Sequence, residues 1–108
     1  MREFIDSCKK YGLRPGLFCS ASFNQYFSVE NPGLVLDGDP VKQKAYNDMV
    51  EQQLTELWTN YGDLFEIWFD GCIVPPELGG PDLTPLLLKY QSNAICFQGP
   101  RDYPHNVR

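Results

Sequence analysis

Two carboxylates and an indole are spaced two residues apart in the stretch LFEIWFDGC, residues 64–72. Its leucine, phenylalanines, isoleucine and tryptophan are types that strands favour, and an Asp-Gly pair typical of turns ends the run. Because side chains on a strand alternate between its two faces, Glu66, Trp68 and Asp70 are expected to share one face. A strand that is otherwise suited to a protein core therefore carries two acids on one side.

Each of these three residues also has a purely structural interpretation. An Asp-Gly pair after a strand is a common turn, so Asp70 alone does not establish chemistry. A buried acid such as Glu66 more often pairs with Lys or Arg than takes part in a reaction. Trp68, taken alone, fits a core better than a ligand site. The choice between these interpretations depends on the fold that surrounds the strand.

Helical and strand-like segments alternate along the chain. Apolar residues at three- and four-residue spacing predict a helix over residues 2–11, and Asp39-Pro40 predicts the start of a second, about twenty residues long. The stripe of the second helix consists of Ala45, Met49, Val50, Leu54, Leu57, Trp58 and Tyr61. We expect a short third helix over residues 84–90, strands over residues 16–22, 64–70 and 94–98, and a loop-like tail over residues 99–108.

The long connecting segments all follow strands. Residues 23–38 and the Pro- and Gly-rich residues 71–81 come after predicted strands, whereas each helix passes into the next strand within a few residues. Elaborated loops at the carboxyl ends of parallel strands are typical of the active sites of α/β barrels and doubly wound sheets. We therefore expect an α/β fold with about three parallel strands alternating with helices.

A barrel explains the acidic face better than a doubly wound sheet, because only the barrel has an interior face that opens to an active site. In a barrel, Glu66, Trp68 and Asp70 line the interior with Asp70 at the mouth, while Phe65, Ile67 and Phe69 face the outer helices. The same alternation predicts Gln98 near the mouth at the end of the third strand, with Cys96 below it.

Composition restricts the possible partners. The 108 residues form one domain, and a net charge of -5 without a basic cluster argues against nucleic acid. No apolar run reaches the roughly 18 to 20 residues of a membrane span. Cys8, Cys19, Cys72 and Cys96 lack the spacing of a zinc site or a disulfide framework, and the last three are expected to be small buried hydrophobes. His105, the only histidine, is expected in a solvated loop.

Three stretches resemble a known family of enzymes. They are EFIDSCKKYGLRPGLFCS, QLTELWTNYGDLFEIWFDG and NAICFQGPRDYPHNVR, and they cover nearly the whole chain. In order and spacing they resemble the middle of the catalytic barrel of α-L-fucosidases of glycoside hydrolase family 29. The most specific element is ELWTNYG, residues 56–62, followed after three residues by EIWFDG.

The resemblance implies retaining hydrolysis of α-L-fucosides without a metal or an organic cofactor. The aspartate of the family's Trp-Phe-Asp-Gly motif is the catalytic nucleophile, and it corresponds to Asp70. Trp68 would shape the sugar pocket or pack beneath the nucleophile. An arginine near the end of the next strand contributes to the site in similar enzymes, and both Arg108 and Arg101 are candidates, each with a solvated loop charge as the alternative.

The chain departs from the family pattern in its extent. The family's upstream strands with sugar-binding histidines and its downstream acid/base glutamate have no counterpart in these residues, and Cys19 stands where the family often has an aromatic residue. A complete barrel takes about 250 residues. We therefore expect residues 1–108 to be a fragment of a (β/α)8 TIM-like barrel that is inactive alone.

Two alternatives remain open at this point. One is a small non-catalytic α/β binding or assembly protein, which would require a homo-oligomer to cover its strand edges. The other is a barrel glycosidase for another sugar. The expected partner is a fucosylated oligosaccharide or glycoconjugate. Members of the family that the chain resembles are commonly lysosomal, secreted or periplasmic.

Overall fold

The computed structural model describes residues 1–21, 24–30 and 33–107. Helices and strands alternate in the order expected from the sequence, with additional short strands. A single 3₁₀ turn, Pro76–Leu78, precedes the last helix. The elements are α1 (Arg2–Lys10), β1 (Gly16–Cys19), β2 (Val29–Glu30), β3 (Leu34–Val35), α2 (Pro40–Thr59), β4 (Glu66–Phe69), α3 (Thr84–Tyr90), β5 (Ile95–Phe97) and β6 (Asn106–Val107). No helix in these ranges is long and apolar enough to cross a membrane.

The main sheet has four parallel strands in the order β1-β4-β5-β6. Phe18 on β1 is in register with Trp68 on β4, and Trp68 with Phe97 on β5. The fourth strand, Asn106–Val107, lies in the tail that was predicted to be a loop. A pairing of only two residues is too short to show an alternating pattern, so the sequence predicts about three parallel strands where the described residues form a parallel sheet of four.

The helices cover one face of this sheet. Ile67 and Phe69 on β4 are buried against them, and the Trp58 ring on α2 stands edge-on to Phe69 at 6.3 Å between centroids. The Trp58 indole N–H is buried and has no hydrogen-bond partner in the described part of the chain. The four buried side chains of α2 are Tyr46, Val50, Leu54 and Trp58. Tyr46 takes the place predicted for Ala45, because its hydroxyl donates to the carbonyl of Ala21 at 2.6 Å.

Asp39 begins α2 as predicted, since its carboxylate accepts a hydrogen bond from the Val41 N–H at 2.9 Å. The long segment after β1 contains a small antiparallel pair, β2 with β3, that the sequence analysis missed. Gln43 on α2 attaches this pair: its side chain accepts from the Val35 N–H at 2.8 Å and donates to the Gly33 carbonyl at 3.2 Å. The β2–β3 pair, called the flap below, is therefore held to α2.

The side chain of Gln91, at the end of α3, is buried and joins three segments. Its amide donates to the carbonyls of Trp58 at 2.8 Å and Gly62 at 3.0 Å. Its oxygen accepts from the Leu64 N–H at 2.8 Å. The Tyr103 hydroxyl in turn donates to the Gln91 carbonyl at 2.9 Å. This one side chain connects the end of α2, the entry to β4 and the end of α3.

Three cysteines are shielded from solvent and one is not. Cys8 and Cys96 are buried, Cys19 is half-buried, and Cys72 is exposed. The expectation for Cys72 was wrong because the chain turns out of the sheet after Phe69, before residue 72 is reached. Burial raises the pKa of the Cys96 thiol to about 12, and burial together with nearby Cys96 raises the pKa of Cys19 to about 12.

Replacing Gln91 with alanine is expected to lower the free energy of unfolding by about 2–4 kcal/mol, because the buried Leu64 N–H and two carbonyls lose their partner. Urea unfolding measures this change. The control is Gln52→Ala at an exposed position of α2, expected within about 0.5 kcal/mol of the parent. Equal unfolding midpoints for the two variants would contradict the role assigned to Gln91.

Stability is expected to fall between about pH 9 and pH 12. In the unfolded chain these thiols lose their protons near 9.0, whereas Cys19 and Cys96 keep theirs to about 12 in the folded state. The unfolded state therefore binds fewer protons in this interval, and a rise in pH favours it. Urea unfolding at pH 7, 9 and 10.5 should show this decline. The fall in the free energy of unfolding with pH should be less steep for Cys19→Ala, and for Ser92→Ala it should match the parent. A urea midpoint that does not change with pH would contradict this prediction.

Candidate functional site

The sheet face opposite the helices carries the residues singled out in the sequence. Trp68 is 46% exposed, Asp70 is exposed and Glu66 is half-buried, whereas Ile67 and Phe69 are buried on the helix side. The predicted division of β4 into two faces is therefore confirmed.

Phe65 departs from this division. It was expected to face the helices, but it precedes β4 and is 36% exposed. The Arg14 guanidinium lies over its ring, 3.9 Å from the centroid, so a cation–π contact covers it instead of a helix.

A row of apolar side chains crosses the open face at the level of Trp68. Phe18, Trp68, Phe97 and Val107 are in register on the four strands, with exposed fractions of 68%, 46%, 37% and 45%. In a closed barrel, side chains on this face point into the interior, where they pack in layers. Asp70 lies one layer nearer the carboxyl ends of the strands, since it is two residues further along β4.

The backbone around Asp70 is held at the edge of the sheet. Its N–H donates to the Cys19 carbonyl at 2.8 Å, which extends the β1–β4 ladder by one bond beyond the strand. The chain then turns, because the Cys72 N–H donates back to the Phe69 carbonyl at 3.1 Å and Gly71 adopts a φ of 84°. A positive φ costs glycine nothing sterically, so the Asp-Gly pair both presents the carboxylate and ends the strand.

Among the residues that the structure describes, Glu66 has no ion pair with a Lys or Arg of the kind that its structural interpretation expects. The ion pairs in the described ranges are Lys42–Asp37 and Lys44–Asp48, both on the surface. Room for Glu66 comes from Gly16 in the adjacent register position, where an added Cβ would lie 3.2 Å from the Glu66 Cβ. Glu66 lies four positions before Asp70, a distance of about 13 Å at the usual rise per residue of a strand.

The side chains of β5, the third predicted strand, lie on the opposite faces from those predicted. Cys96 is in register with Ile67 on the buried face, and Phe97 is on the open face. The prediction that Cys96 lies below Gln98 on the interior face was wrong because AICF, residues 94–97, is apolar throughout, and a one-residue shift exchanges the two faces. Gln98 does lie beyond the carboxyl end of β5, where its φ of 57° breaks the alternation.

A cleft of about 330 Å³ opens between the loops that follow β4 and β5. Its polar side chains are Glu77, Gln98 and Arg101, and its apolar ones include Ile73 and Leu78. Sequence analysis did not find this cleft. The Pro- and Gly-rich composition of residues 71–81 was the available signal, but it does not reveal which loop residues converge.

The remaining residues singled out in the sequence are Arg101, Arg108 and His105. Arg101 is exposed and lines the cleft. Arg108 lies outside the described residues. His105 is exposed as expected, with its ring edge-on to Tyr103 at 5.8 Å. Among residues 1–21, 24–30 and 33–107, no group of three or more His, Cys, Asp or Glu is placed to hold a metal ion.

Solved structures with this fold were found by comparison. A protein from Bacteroides thetaiotaomicron assigned as an α-L-fucosidase has a TM-score of 0.79 and 38% identity, over 91% of this chain and 23% of its own. A second protein from that organism with the same assignment has a TM-score of 0.67 and 24% identity, over 97% of this chain and 21% of its own, a likeness of fold alone. A glycoside hydrolase family 29 member from an unknown rumen bacterium has a TM-score of 0.53 and 25% identity, over 99% of this chain and 19% of its own.

The expected resemblance to α-L-fucosidases of glycoside hydrolase family 29 is therefore confirmed, and with it the partial barrel architecture. By this resemblance the chain is grouped with glycoside hydrolases. It spans 23%, 21% and 19% of the lengths of the three proteins, as a part of a barrel would. Comparison with models of protein families found no match, and comparison with curated proteins found none.

The loop beside Asp70 depends on a glycine at position 80. A Cβ there would lie 1.8 Å from the Val74 carbonyl oxygen, and the Gly80 N–H donates to the Pro75 carbonyl at 3.0 Å. Gly80→Ala is therefore expected to lower the free energy of unfolding by about 2 kcal/mol or more, since backbone must move. Gly38→Ala is the control: it meets open space and only a positive φ, which costs about 1 kcal/mol. Urea unfolding that ranks Gly38→Ala as the worse variant would contradict this account.

Proposed function

We propose that residues 1–108 are the part of a retaining α-L-fucosidase that carries its nucleophile, Asp70. The complete enzyme would release terminal α-L-fucose from glycoconjugates. The observation that carries the proposal is the position of the Trp-Phe-Asp-Gly motif: it ends an inner strand of a parallel sheet, with the aspartate exposed at the carboxyl edge. Barrel enzymes place their reacting groups at this edge.

The reaction proceeds in two displacements at the anomeric carbon. An oxygen of the Asp70 carboxylate attacks that carbon, the glycosidic C–O bond breaks, and a second carboxylic acid gives its proton to the departing oxygen. The second group, now a carboxylate, then takes a proton from water. The water oxygen attacks the same carbon and releases fucose and the Asp70 carboxylate.

The second carboxylate is not Glu66. Retaining enzymes hold the two carboxyl groups about 5–5.5 Å apart, whereas about 13 Å of strand separates Glu66 from Asp70. The acid/base group therefore comes from residues other than this strand. Since a complete barrel has eight strands and the described residues form a sheet of four, we infer that the chain turns over substrate only as part of a complete barrel.

Rigid placement favours Asp70 as the nucleophile. Its N–H bond to the Cys19 carbonyl and the turn at Gly71 fix the backbone on both sides of the residue. Catalytic groups on strand ends keep their geometry better than groups on loops. Trp68, exposed one layer below, would form the floor of the sugar pocket. Of the two arginine candidates, Arg101 lies at the same edge of the sheet, and Arg108 stays a candidate from the motif alone.

Asp70→Asn is expected to lower the turnover of 4-nitrophenyl α-L-fucoside by at least about 10³-fold, because the amide keeps the shape of the side chain but is a poor nucleophile. The assay uses the chain extended on both sides to a complete barrel, and residues 1–108 alone are assayed in parallel. The matched control is Asp63→Asn, an exposed aspartate before β4 at the opposite end of the strand, which should retain parent activity.

Three outcomes would change the proposal. Activity of the barrel protein that survives Asp70→Asn would remove Asp70 from the nucleophile's role. Absence of turnover with Asp70 intact would indicate another sugar or a non-catalytic chain. Asp70-dependent turnover by residues 1–108 alone would require copies of the chain to complete the site together.

A further inference from the structure

Three polar side chains lie one above the other on a single face of α2. They are Gln43, Asn47 and Glu51, and all three are half-buried. Residues four apart are neighbours on the surface of a helix, so the three form a continuous row. Each side chain of this polar row forms hydrogen bonds to a segment outside α2 or to the next member of the row.

The polar row joins the flap to the loop that follows β4. Besides its bonds to the flap, the Gln43 amide donates to the Asn47 side-chain oxygen at 3.0 Å. The Asn47 amide donates in turn to the Gly79 carbonyl at 2.9 Å, and the Glu51 carboxylate accepts from the Asp82 N–H at 3.1 Å. Because Gln43 and Asn47 each accept at one end and donate at the other, the bonds between the flap and Gly79 polarise one another.

The loop after β4 is stiff next to its contact with Asn47. The Gly79 and Gly80 N–H groups both donate to carbonyls of preceding prolines at 3.0 Å. Gly80 packs so tightly that a Cβ there would lie 1.8 Å from the Val74 carbonyl oxygen. A segment with such internal bonds changes position as a unit, so the bond from Asn47 to Gly79 holds the whole turn.

Leu78, beside Gly79, belongs to the walls of two cavities. One is the cleft of about 330 Å³, which Cys72 also lines two residues after Asp70. The other is a cavity of about 420 Å³ between the loop, the flap and α2, and Gln43 and Asn47 line it. The polar row therefore sets the position of a wall that the cleft near Asp70 shares.

We propose that Gln43 and Asn47 are positioning residues, which hold the flap and the loop after β4 in the relative position that binds substrate. The proposal rests on the proposed function. Asp70 has its own backbone support in the Cys19 carbonyl and the turn at Gly71, so its placement does not depend on the polar row. The row acts on substrate binding and leaves the chemical step unchanged.

Asn47→Ala and Asn47→Asp, made in the complete barrel, test the proposal. Alanine removes the side chain and is the best helix former. Aspartate keeps the acceptor for Gln43 but, when ionised, has no donor for the Gly79 carbonyl. The matched controls are Gln52→Ala and Gln52→Glu, at an exposed position of α2 outside the polar row, and the second adds the same charge as Asn47→Asp.

The measured quantities are KM and kcat for 4-nitrophenyl α-L-fucoside, together with the urea midpoint of each variant. When the hydrogen bond is lost, fewer molecules have the binding arrangement, so both Asn47 variants should raise KM about fivefold with kcat within about twofold of the parent. Both Gln52 variants should keep the parent KM. An unchanged KM in the two Asn47 variants overturns the positioning role at any urea midpoint, because unfolded enzyme lowers the apparent kcat and leaves KM as it was.

A double variant tests the connection between the two loops. Gln43→Ala should also raise KM, and combining it with Asn47→Ala should raise KM no further than the larger single effect, since both changes break one route. Increases that multiply would show two independent loops and overturn the connection. A parent barrel without Asp70-dependent turnover overturns the proposed function and this role with it, whereas an unchanged KM in the Asn47 variants overturns this role alone.

Discussion

The buried amide of Gln91 is the interaction on which the arrangement of the domain depends. Its partners, the Trp58 and Gly62 carbonyls and the Leu64 N–H, lie where α2 ends and the chain enters β4. Glutamine supplies donors and an acceptor from one side chain, so a tight helix-to-strand connection is satisfied without water. The position of β4 relative to α2 and α3 is fixed at this end, and the opposite end of β4 is thereby free to present Asp70.

Much of the fold follows from local signals in the sequence. Asp39 before Pro40 marks the start of α2, and the third helix was predicted over the residues it occupies, Thr84–Tyr90. Elements that depend on distant partners were missed. β6 and the β2–β3 pair are two-residue strands, whose only signal is the hydrogen bond to a neighbour. Tyr46 was overlooked for a related reason, since a carbonyl 25 residues away accepts from its hydroxyl.

The candidate site likewise has parts that local signals predicted and parts that they did not. The faces of β4 were predicted correctly because acids at alternate positions distinguish the open side from the helix side. On β5 no polar residue makes that distinction, so Cys96 was placed on the wrong face. The motif around Asp70 indicates one reacting group, but the cleft beside it arises from two loops and from positive φ at Cys72 and Gln98. Backbone conformation of this kind is set by tertiary packing and leaves no trace in residue type.

The four strands of the main sheet are neighbours in space in the order in which they occur along the chain. During synthesis, each new strand therefore meets a partner that has already been made, and the sheet grows at one edge only. The longest interval between two successive strands of this sheet separates β1 from β4, and the flap and α2 are synthesised in it. At each stage the growing edge is a parallel strand whose outer N–H and C=O groups have no partner until the next strand arrives, and such an edge is prone to aggregation. We therefore expect the nascent chain to expose an open strand edge for longest while the segment from β1 to β4 is synthesised.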